Sequence, residues 1–366
     1  MVLPLLAAIG LSAFEPVVPG YEFAFPRDHF EHPRFEHEWW YYTGNLRDSS
    51  GRPFGFELTF FRLAVEPGKP PETAWDVSQV YLAHLAVSDV ASGKFHRAER
   101  INRRGPGLAG ASETEKVIWN GNWSATWEFD RPGRPAQRLQ AAAAGMSIDL
   151  QLDPSRPFVI HGEDGIARKQ ADGGTASHYV SFTRLRATGR LGLDGELYDV
   201  EGSAWMDHEF STGGLAEGQT GWTWLSIQLD DGNDLMVYGM RDAQGNHDAF
   251  TFGTFVDRDG QKVSLAGSEF TLSPGRTWRS SETGAEYPVE WSLEIPKLGY
   301  RLACQPLMDR QEVVSPRNAA PVYWEGAVRY RGDRRGEPVK GVGYLEMTGY
   351  DKPVELGVRD SPPEGR

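Results

Sequence analysis

An opening segment and a closing segment both recur, in the same order, in the second half of this 366-residue sequence. The opening matches are Trp39 with Trp222, Tyr41 with Trp224, Leu46 with Leu229 and Asp48 with Asp231. The closing match aligns the segment that ends at Asp207 with the segment that ends at Glu346. A repeat this long exceeds the roughly 20–50 residues of solenoid repeats, so it indicates a duplicated domain. We expect units at 14–210 and 218–357, joined by a Gly-rich linker at 211–217.

The composition and spacing of each unit favour antiparallel strands. The chain contains 12 Trp, 13 Tyr and 18 Phe, which suit pleated surfaces, and its 42 Gly and 24 Pro provide turns. Strand-like runs flank the turn cluster at 47–53, which predicts a hairpin, and Leu139–Gly145 is the only stretch with helical character. Many short strands with almost no helix predict an all-β protein of two up-and-down barrels, with a β-sandwich as the alternative.

The net charge and the two ends of the sequence indicate which binding partners and which cellular location to expect. The formal net charge of −13, with only short Arg pairs as basic clusters, argues against nucleic-acid binding. The apolar run at 1–13 resembles a signal-peptide core, although no basic residue precedes Arg27, and it predicts a periplasmic or secreted protein rather than a cytoplasmic one. The single Cys304 excludes an intrachain disulfide, and we expect a disordered tail at 358–366.

The closing segment Gly202–Phe210 holds the densest group of ionisable residues. In a strand, alternate side chains point to opposite faces, so Asp207 and Glu209 lie on one face with Trp205, and His208 lies on the other. An apolar neighbour and a nearby like charge both raise the pKa of a carboxyl group. The pattern therefore predicts that Asp207 stays protonated near neutral pH and can deliver a proton.

A second group begins at His37, where His37 and Glu38 precede four consecutive aromatic residues. His37 or His208 could act as a general base, and the aromatic faces could stabilise a cation. The same imidazoles and carboxylates could instead bind a metal, but their spacing fixes no ligand geometry, and we predict neither a metal nor a cofactor. A purely structural role for these groups is the remaining alternative.

Other ionisable residues have simpler explanations. Glu325 and Glu346 lie in otherwise apolar strand-like runs, and a buried carboxylate needs a partner. The sequence offers three arginines as partners: Arg186, Arg241 and Arg329. His29 and His32 lie in a Pro-flanked entry segment, for which surface positions are expected.

Six motifs together resemble the tandem lipocalin-like proteins of the AttH-like and carotenoid 1,2-hydratase (hydroxyneurosporene synthase) group. They are His37-Glu-Trp-Trp-Tyr-Tyr-Thr-Gly-Asn-Leu, Gly55-Phe-Glu-Leu-Thr-Phe-Phe-Arg, Trp205-Met-Asp-His-Glu-Phe, Gly221-Trp-Thr-Trp, Tyr323-Trp-Glu-Gly and Gly343-Tyr-Leu-Glu-Met-Thr-Gly-Tyr. The resemblance covers nearly all of the chain after the leader. It implies two lipocalin-like barrels packed together.

The resemblance also implies a range of reactions. Members of this group add water to an isoprenoid double bond, relatives catalyse intramolecular Diels–Alder cyclisation, and many bacterial members are described only as secreted hydrolases. We therefore expect acid-catalysed hydration or cyclisation of a hydrophobic isoprenoid or polyketide-like alkene, bound where the barrels meet. The alternatives are a non-catalytic exported carrier of a hydrophobic ligand and a secreted hydrolase, although no Gly-x-Ser-x-Gly elbow is present. A hydrophobic ligand also leaves peripheral membrane association open.

Site residues follow from the patterns and the resemblance together. Matched residue by residue, the resemblance implies catalytic roles for Asp207, His208 and Tyr238, and Phe210 stands where it implies a Trp. The predicted catalytic group is Asp207, His208, Glu209, His37 and Tyr238. The predicted substrate-binding group is Trp39, Trp40, Tyr42, Trp205, Phe210, Trp222 and Trp224.

Overall fold

The computed structural model of the chain describes residues 14–65, 67, 73, 75, 77–163, 165–170, 175–316 and 320–355. The signal-like run expected at 1–13 and the tail expected at 358–366 lie outside the described residues. The protein is all-β, as predicted, with 60% of the described residues in strands and 2% in helices. In the described part of the chain, no helix combines the length and apolar character that crossing a membrane would require.

Among the described residues, the first sheet has thirteen strands and forms a nearly closed barrel. The strands are β1 His37–Asp48, β2 Pro53–Ala64, β3 Gln79–Asp89, β4 Lys94–Arg103, β5 Ala109–Ser112, β6 Val117–Asn120, β7 Trp123–Glu128, β8 Ala136–Ala143, β9 Met146–Pro154, β10 Val159–Ile160, β11 Ile166–Arg168, β12 Ala176–Leu193 and β13 Glu196–Thr212. Their order is β4-β3-β2-β1-β13-β12-β9-β8-β7-β6-β5, with β10 and β11 paired to β12. A 3-10 helix, η1, at Arg27–His29 precedes the sheet.

The second sheet curls into a half-barrel and has ten strands in the part of the chain that the structure describes. Its strands, with the separate hairpin β19–β20, are β14 Gln219–Leu229, β15 Asp234–Asp242, β16 Phe252–Val256, β17 Lys262–Ala266, β18 Thr271–Pro274, β19 Thr277–Arg279, β20 Glu286–Pro288, β21 Trp291–Ile295, β22 Tyr300–Pro306, β23 Glu312–Val313, β24 Tyr323–Arg334 and β25 Glu337–Thr348. The order is β17-β16-β15-β14-β25-β24-β22-β21-β18, with β23 paired to β24. A 3-10 helix, η2, at Gly267–Glu269 follows β17.

The two sheets place their matched segments in the same way. The opening strand pairs with both the next strand and the closing strand, as β1 does with β2 and β13, and β14 with β15 and β25. Tyr41 lies opposite Asp207 in the first sheet, and Trp224 lies opposite Glu346 in the second. These are the pairs that the internal sequence repeat aligns, so the register supports the duplication that we propose.

Period-two alternation divides the side chains into three layers. One face of the first sheet fills the barrel with a core that includes Trp40, Tyr42 and Phe56. A second core lies on the concave side of the second sheet. Between the sheets lies a third cluster, in which Tyr41 and Trp224 meet. Because side chains occupy the barrel interior, the space between the outer faces of the sheets is the place to look for a site.

The helical expectation for Leu139–Gly145 is wrong. This stretch belongs to β8, which pairs with β7 and β9, and ends in a turn at Gly145 with φ of 78°. Leu139 and Ala141 are buried while Gln140 is exposed, so the residues follow the period of a strand. Pairing on both sides outweighs the helical propensity of alanine.

Candidate active site

A cavity of about 150 Å³ lies between the outer faces of the two sheets. The first sheet contributes residues of β1, β2, β3, β12 and β13, and the second contributes residues of β14, β15, β24 and β25. Tryptophan and tyrosine rings line it, together with six acidic residues: Glu38, Glu57, Asp207, Glu209, Glu346 and Glu355. Both closing segments singled out by the sequence repeat therefore contribute to the same cavity.

Asp207 projects from β13 into this cavity and is only 4% exposed. Its Oδ2 accepts a hydrogen bond from the Tyr179 hydroxyl at 2.7 Å. Its Oδ1 accepts hydrogen bonds from the Trp205 indole at 2.6 Å and from the Ser181 hydroxyl. Burial raises the pKa of Asp207 to about 7, outweighing the three hydrogen bonds, which lower it. About half of these carboxyl groups are therefore protonated at neutral pH.

Glu346 places a second acid on the facing sheet. Burial raises its pKa to about 8, and the Trp222 indole donates to its Oε2 at 3.1 Å. Like charge from Asp207 and Glu209 adds to the rise in pKa. The cavity thus presents one carboxylic acid from each half of the chain, and both can carry a proton at neutral pH.

Phenols from the opposite sheet bind two further buried carboxyl groups. Tyr323 on β24 donates to Glu57 Oε1 at 2.8 Å, and Tyr41 on β1 donates to Glu325 Oε1 at 2.6 Å. Burial raises the pKa of Glu57, and it raises the pKa of Glu325 strongly. Each sheet therefore supplies the hydrogen-bond donor for a carboxyl group of the other sheet. These two hydrogen bonds hold the facing sheets in a defined relative position.

The expected arginine partners of Glu325 and Glu346 are wrong. Neutral donors meet both groups, because burial favours the protonated carboxyl, which needs no counter-charge. Arg241 instead donates to the Thr348 carbonyl and stacks 3.8 Å from the Tyr350 ring centroid. The other two arginines lie in a groove elsewhere on the molecule.

Glu209, the neighbour of Asp207 on the same face, is part of an ion pair. The Lys169 ammonium and the Ser177 hydroxyl both donate to its Oε1. Lys169 Nζ also lies 5.3 Å from the ring centroid of Trp39 and 5.4 Å from that of Tyr238. Two rings that line the cavity therefore already face a cation, as cation–π geometry requires.

His37 also lines the cavity and is 1% exposed. Among the described residues neither ring nitrogen has a hydrogen-bond partner, although Nε2 lies 3.5 Å from a Glu36 carboxylate oxygen. Burial lowers the pKa of His37 to about 4, so the imidazole is neutral over most of the physiological range. A neutral imidazole facing the cavity can accept a proton from bound water.

Aromatic residues from both sheets form the apolar wall. Trp39, Trp222, Trp224 and Tyr238 line the cavity, as their predicted roles require. The rings of Trp222 and Tyr238 are nearly parallel, with centroids 6.2 Å apart. The Trp224 indole donates to the Tyr179 hydroxyl at 2.9 Å and so supports the group that holds Asp207.

Five predicted site residues do not line this cavity. Four of them lie on the other face of their strands: His208, Trp40, Tyr42 and Phe210. Trp40 and Tyr42 are in the barrel core, and His208 stacks on Trp40. Phe210 is in the cluster under the N-terminal segment. The fifth, Trp205, donates a hydrogen bond to Asp207 but does not line the cavity. Strand alternation places the first four on the face opposite Asp207, so the geometry contradicts direct roles for them in chemistry at this cavity.

His208 belongs to a buried network at the end of the barrel. Its Nε2 lies 2.8 Å from Glu38 Oε1, the oxygen that His32 Nδ1 approaches at 2.7 Å. Arg62 Nε donates to the other Glu38 oxygen at 2.8 Å. Donor atoms of His32, Glu38 and His208 lie within 4.8 Å of one another, a spacing that could hold a metal ion. Direct hydrogen bonds and the Arg62 cation already satisfy Glu38, so the cluster is better described as an ion-pair network.

The surface positions expected for His29 and His32 are wrong. His29 is 2% exposed and His32 is 8% exposed. The His32 ring stacks on Phe210 with centroids 3.6 Å apart, and the His29 carbonyl accepts from the Trp40 indole at 2.9 Å. The N-terminal segment therefore packs onto the barrel end instead of lying in solvent.

Several residues outside the predicted catalytic and substrate-binding groups also reach the cavity. Glu57, Tyr179, His84 and Tyr323 all line it. His84 Nδ1 lies 2.6 Å from the Tyr323 hydroxyl, which in turn binds Glu57. Glu57 was detectable, because a charged residue inside the motif that starts at Gly55 shares its strand face with Thr59 and Phe61. The others depend on pairing between distant strands.

Comparison with solved structures gives the same architecture. A crystal structure of an AttH protein from Nitrosomonas europaea has a TM-score of 0.82 and 35% sequence identity to this chain, covering 92% of this chain and 100% of that one. Kievitone hydratase from Nectria haematococca has a TM-score of 0.68 at 16% identity, covering 90% of this chain and 93% of that one. At 16% identity, the similarity to kievitone hydratase concerns the fold alone.

Sequence comparisons extend the match. The model of the AttH-like family matches residues 16–350. Dehydratase asqC from Emericella nidulans is 21% identical over 217 residues, which is 57% of this chain and 60% of that protein. Kievitone hydratase from Fusarium solani subsp. phaseoli is 24% identical over 216 residues, 58% of this chain and 59% of that protein. The chain thus spans about three-fifths of the length of each of these two relatives.

Proposed function

This chain belongs to the AttH-like family, and we propose that its junction cavity adds water to an alkene of a small hydrophobic molecule, or eliminates water in the reverse direction. The observation that carries the proposal is Asp207, a buried carboxyl group with a pKa of about 7 that faces an aromatic-lined cavity. The names of the two relatives, a dehydratase and a hydratase, support this reaction class.

The first step needs a proton delivered to carbon. The π electrons of the alkene take the proton of Asp207 and leave a carbocation on the adjacent carbon. The Asp207 carboxylate that results keeps its hydrogen bonds from Tyr179, Ser181 and Trp205, which stabilise the new charge. The faces of Trp222 and Trp224 stabilise the cation while excluding bulk water.

The second step needs water at that cation. A water molecule forms the new C–O bond, and His37 accepts the proton that the water loses. Transfer of that proton from His37 to Asp207, directly or through solvent, restores the starting state. Elimination runs through the same steps in reverse, with Asp207 as the base for the C–H proton.

The finer part of the proposal concerns the substrate. An aromatic wall fits an isoprenoid or polyketide-like chain better than a sugar or a peptide. Cyclisation of a polyketide-like alkene could use the same protonated Asp207. Filled barrel cores argue against a carrier that holds its ligand inside the first barrel.

Oxygen-18-labelled water tests the reaction class. We would incubate the purified chain with a panel of linear isoprenoid and polyketide-like alkenes and analyse the products by mass spectrometry. A hydratase gives an alcohol that carries the label, whereas a cyclase gives a product of unchanged mass. Recovery of every alkene unchanged, together with tight binding, would instead indicate a carrier.

The pH profile tests the assigned protonation states. Asp207 must be protonated for hydration, so kcat/KM should fall as the pH rises through about 7. His37 must be neutral, so kcat/KM should also fall as the pH drops through about 4. We expect maximal kcat/KM between these two values, measured at substrate concentrations well below KM. A profile that rises steadily to pH 9 would contradict both assignments.

Two histidine variants separate the base from the structural network. His37→Gln should lower kcat by about 10²-fold, because the base is lost, with little change in the midpoint of thermal unfolding. His208→Gln should lower that midpoint and leave the kcat of the folded fraction within a few-fold. Equal losses of kcat in both variants would argue against His37 as the base.

A further inference from the structure

A second opening between the sheets is rich in arginine. It is a groove of about 680 Å³, and its walls include Arg47 and Arg186 from the first sheet and Arg329 and Arg331 from the second. The groove and the active-site cavity have no lining residue in common. Packed aromatic residues of the cluster between the sheets, such as Trp205 and Tyr344, belong to neither lining.

Strand pairing brings the four arginines to the same groove. Arg47 on β1 and Arg186 on β12 flank β13, where they lie opposite Glu201 and Ser203 respectively. Arg329 and Arg331 are two residues apart on β24, so they point to the same face. The Asn45 side chain bridges the sheets beside them by donating to the Gly343 carbonyl at 2.9 Å.

None of these four arginines is within ion-pair distance of a carboxylate among the described residues. Arg47 and Arg329 meet only neutral acceptors, the Gly51 carbonyl at 3.3 Å and the Gln305 side chain at 3.3 Å. Other arginines at the junction are paired, as Arg184 is with Asp234 at 2.5 Å. Four positive charges without an ion-pair partner among the described residues repel one another, and they stand out in a chain of net charge −13.

We infer that this groove binds a multiply charged phosphate group, of the diphosphate or phosphate-ester class. A guanidinium presents two parallel N–H donors that match two oxygens of a phosphate. With Glu201 as the one acidic residue in the lining, four arginines leave a net charge of about +3, which a group with two or three negative charges balances. The ligand would contact both sheets and link them at the end away from the active-site cavity.

The apolar part of the lining bears on the source of the phosphate. Leu46, Phe54, Val90, Leu307 and Val342 line the groove beside the arginines. Phosphate on a soluble molecule and phosphate in a lipid headgroup offer the same charged group to the guanidiniums. The experiment therefore includes one probe for each source.

The test compares wild type with Arg186→Gln/Arg331→Gln, which removes one arginine from each sheet. Titration calorimetry with inorganic pyrophosphate should show binding that weakens with added NaCl and falls at least tenfold in the double variant. In parallel, sedimentation with vesicles of phosphatidylcholine containing phosphatidylglycerol, against phosphatidylcholine alone, probes the headgroup. All four arginines are exposed, so the substitutions should leave the fold intact.

A matched control is Arg134→Gln/Arg190→Gln, which removes two exposed arginines outside the groove. Loss of pyrophosphate binding in the groove variant alone supports a soluble phosphate ligand. Loss of vesicle binding in the groove variant alone supports a lipid headgroup. The inference is overturned if wild type binds neither probe, or if the groove variant binds as well as the control. Alkene turnover is independent of either result.

Discussion

Asp207→Asn is expected to lower kcat by about 10²–10⁴-fold, the range for loss of a general acid, while substrate affinity stays within a few-fold. The amide keeps the size of the carboxyl group, and its oxygen can still accept from the Trp205 indole and the Ser181 hydroxyl. It has no acidic proton to give to carbon. The measurement is single-turnover kinetics on an alkene that wild type converts, together with direct binding of the same compound.

The same substitution should not weaken the fold. The folded-state pKa of Asp207 is raised from 3.8 to about 7, so its contribution favours folding below pH 3.8 and is lost as the pH rises through about 7. A neutral amide removes this penalty, and we expect the Asn variant to be at least as stable as wild type at pH 8. Asp199→Asn, at the exposed end of the same strand, is the control and should leave kcat unchanged. Full activity in Asp207→Asn would shift the acid assignment to Glu346.

Local alternation predicted correctly which residues of the closing strand share a face. The separation of Asp207 and Glu209 from His208 follows from the strand period alone, and the register of β13 with β1 confirms it. The all-β class and the likeness of the two sheets also followed from composition and the internal repeat. These features depend on residues close in sequence or on a pattern that occurs twice.

Which face would become the cavity was not predictable from a single strand. Trp39 and Trp40 are equally aromatic, yet Trp39 lines the cavity and Trp40 fills the barrel. The choice depends on which face the second sheet covers, and that is a contact between distant strands. Lys169 illustrates the same limit, because its pairing with Glu209 requires β11 to lie on β12.

Burial also changed the chemistry that the residue types suggested. Glu325 and Glu346 appeared to need arginines, but burial raises the pKa of each carboxyl group, and phenol and indole donors are then sufficient. The arginines that this leaves unpaired by carboxylates, Arg186 and Arg329, lie in the groove for which we infer a phosphate ligand. The assumption that Glu325 and Glu346 are ionised was therefore wrong. It led us to miss both their neutral hydrogen-bond donors and the arginines in the groove that have no carboxylate partner.

Glu38→Gln should cause the largest loss of stability among the substitutions considered. Glu38 and Arg62 are both 0% exposed, and their ion pair spans 2.8 Å. Removing one partner of a buried pair leaves the other charge uncompensated, which typically costs about 3–5 kcal/mol. Arg62 would keep its bonds to the His32 and Phe35 carbonyls, but these are neutral acceptors. Guanidinium unfolding at pH 7 measures the loss.

The pH dependence of that loss separates the ion pair from simple packing. Burial by itself raises the pKa of Glu38, but the charges of His32 and Arg62 outweigh it and hold the pKa below the usual value of 4.5. The stability from ionised Glu38 is therefore present above about pH 4.5 and is lost as the pH falls below it, so wild type and Glu38→Gln should converge in acid. Glu15→Gln breaks the exposed pair with Arg34 and should cost at most about 1 kcal/mol. Equal, pH-independent losses in both variants would mean that the buried network does not anchor the N-terminal segment.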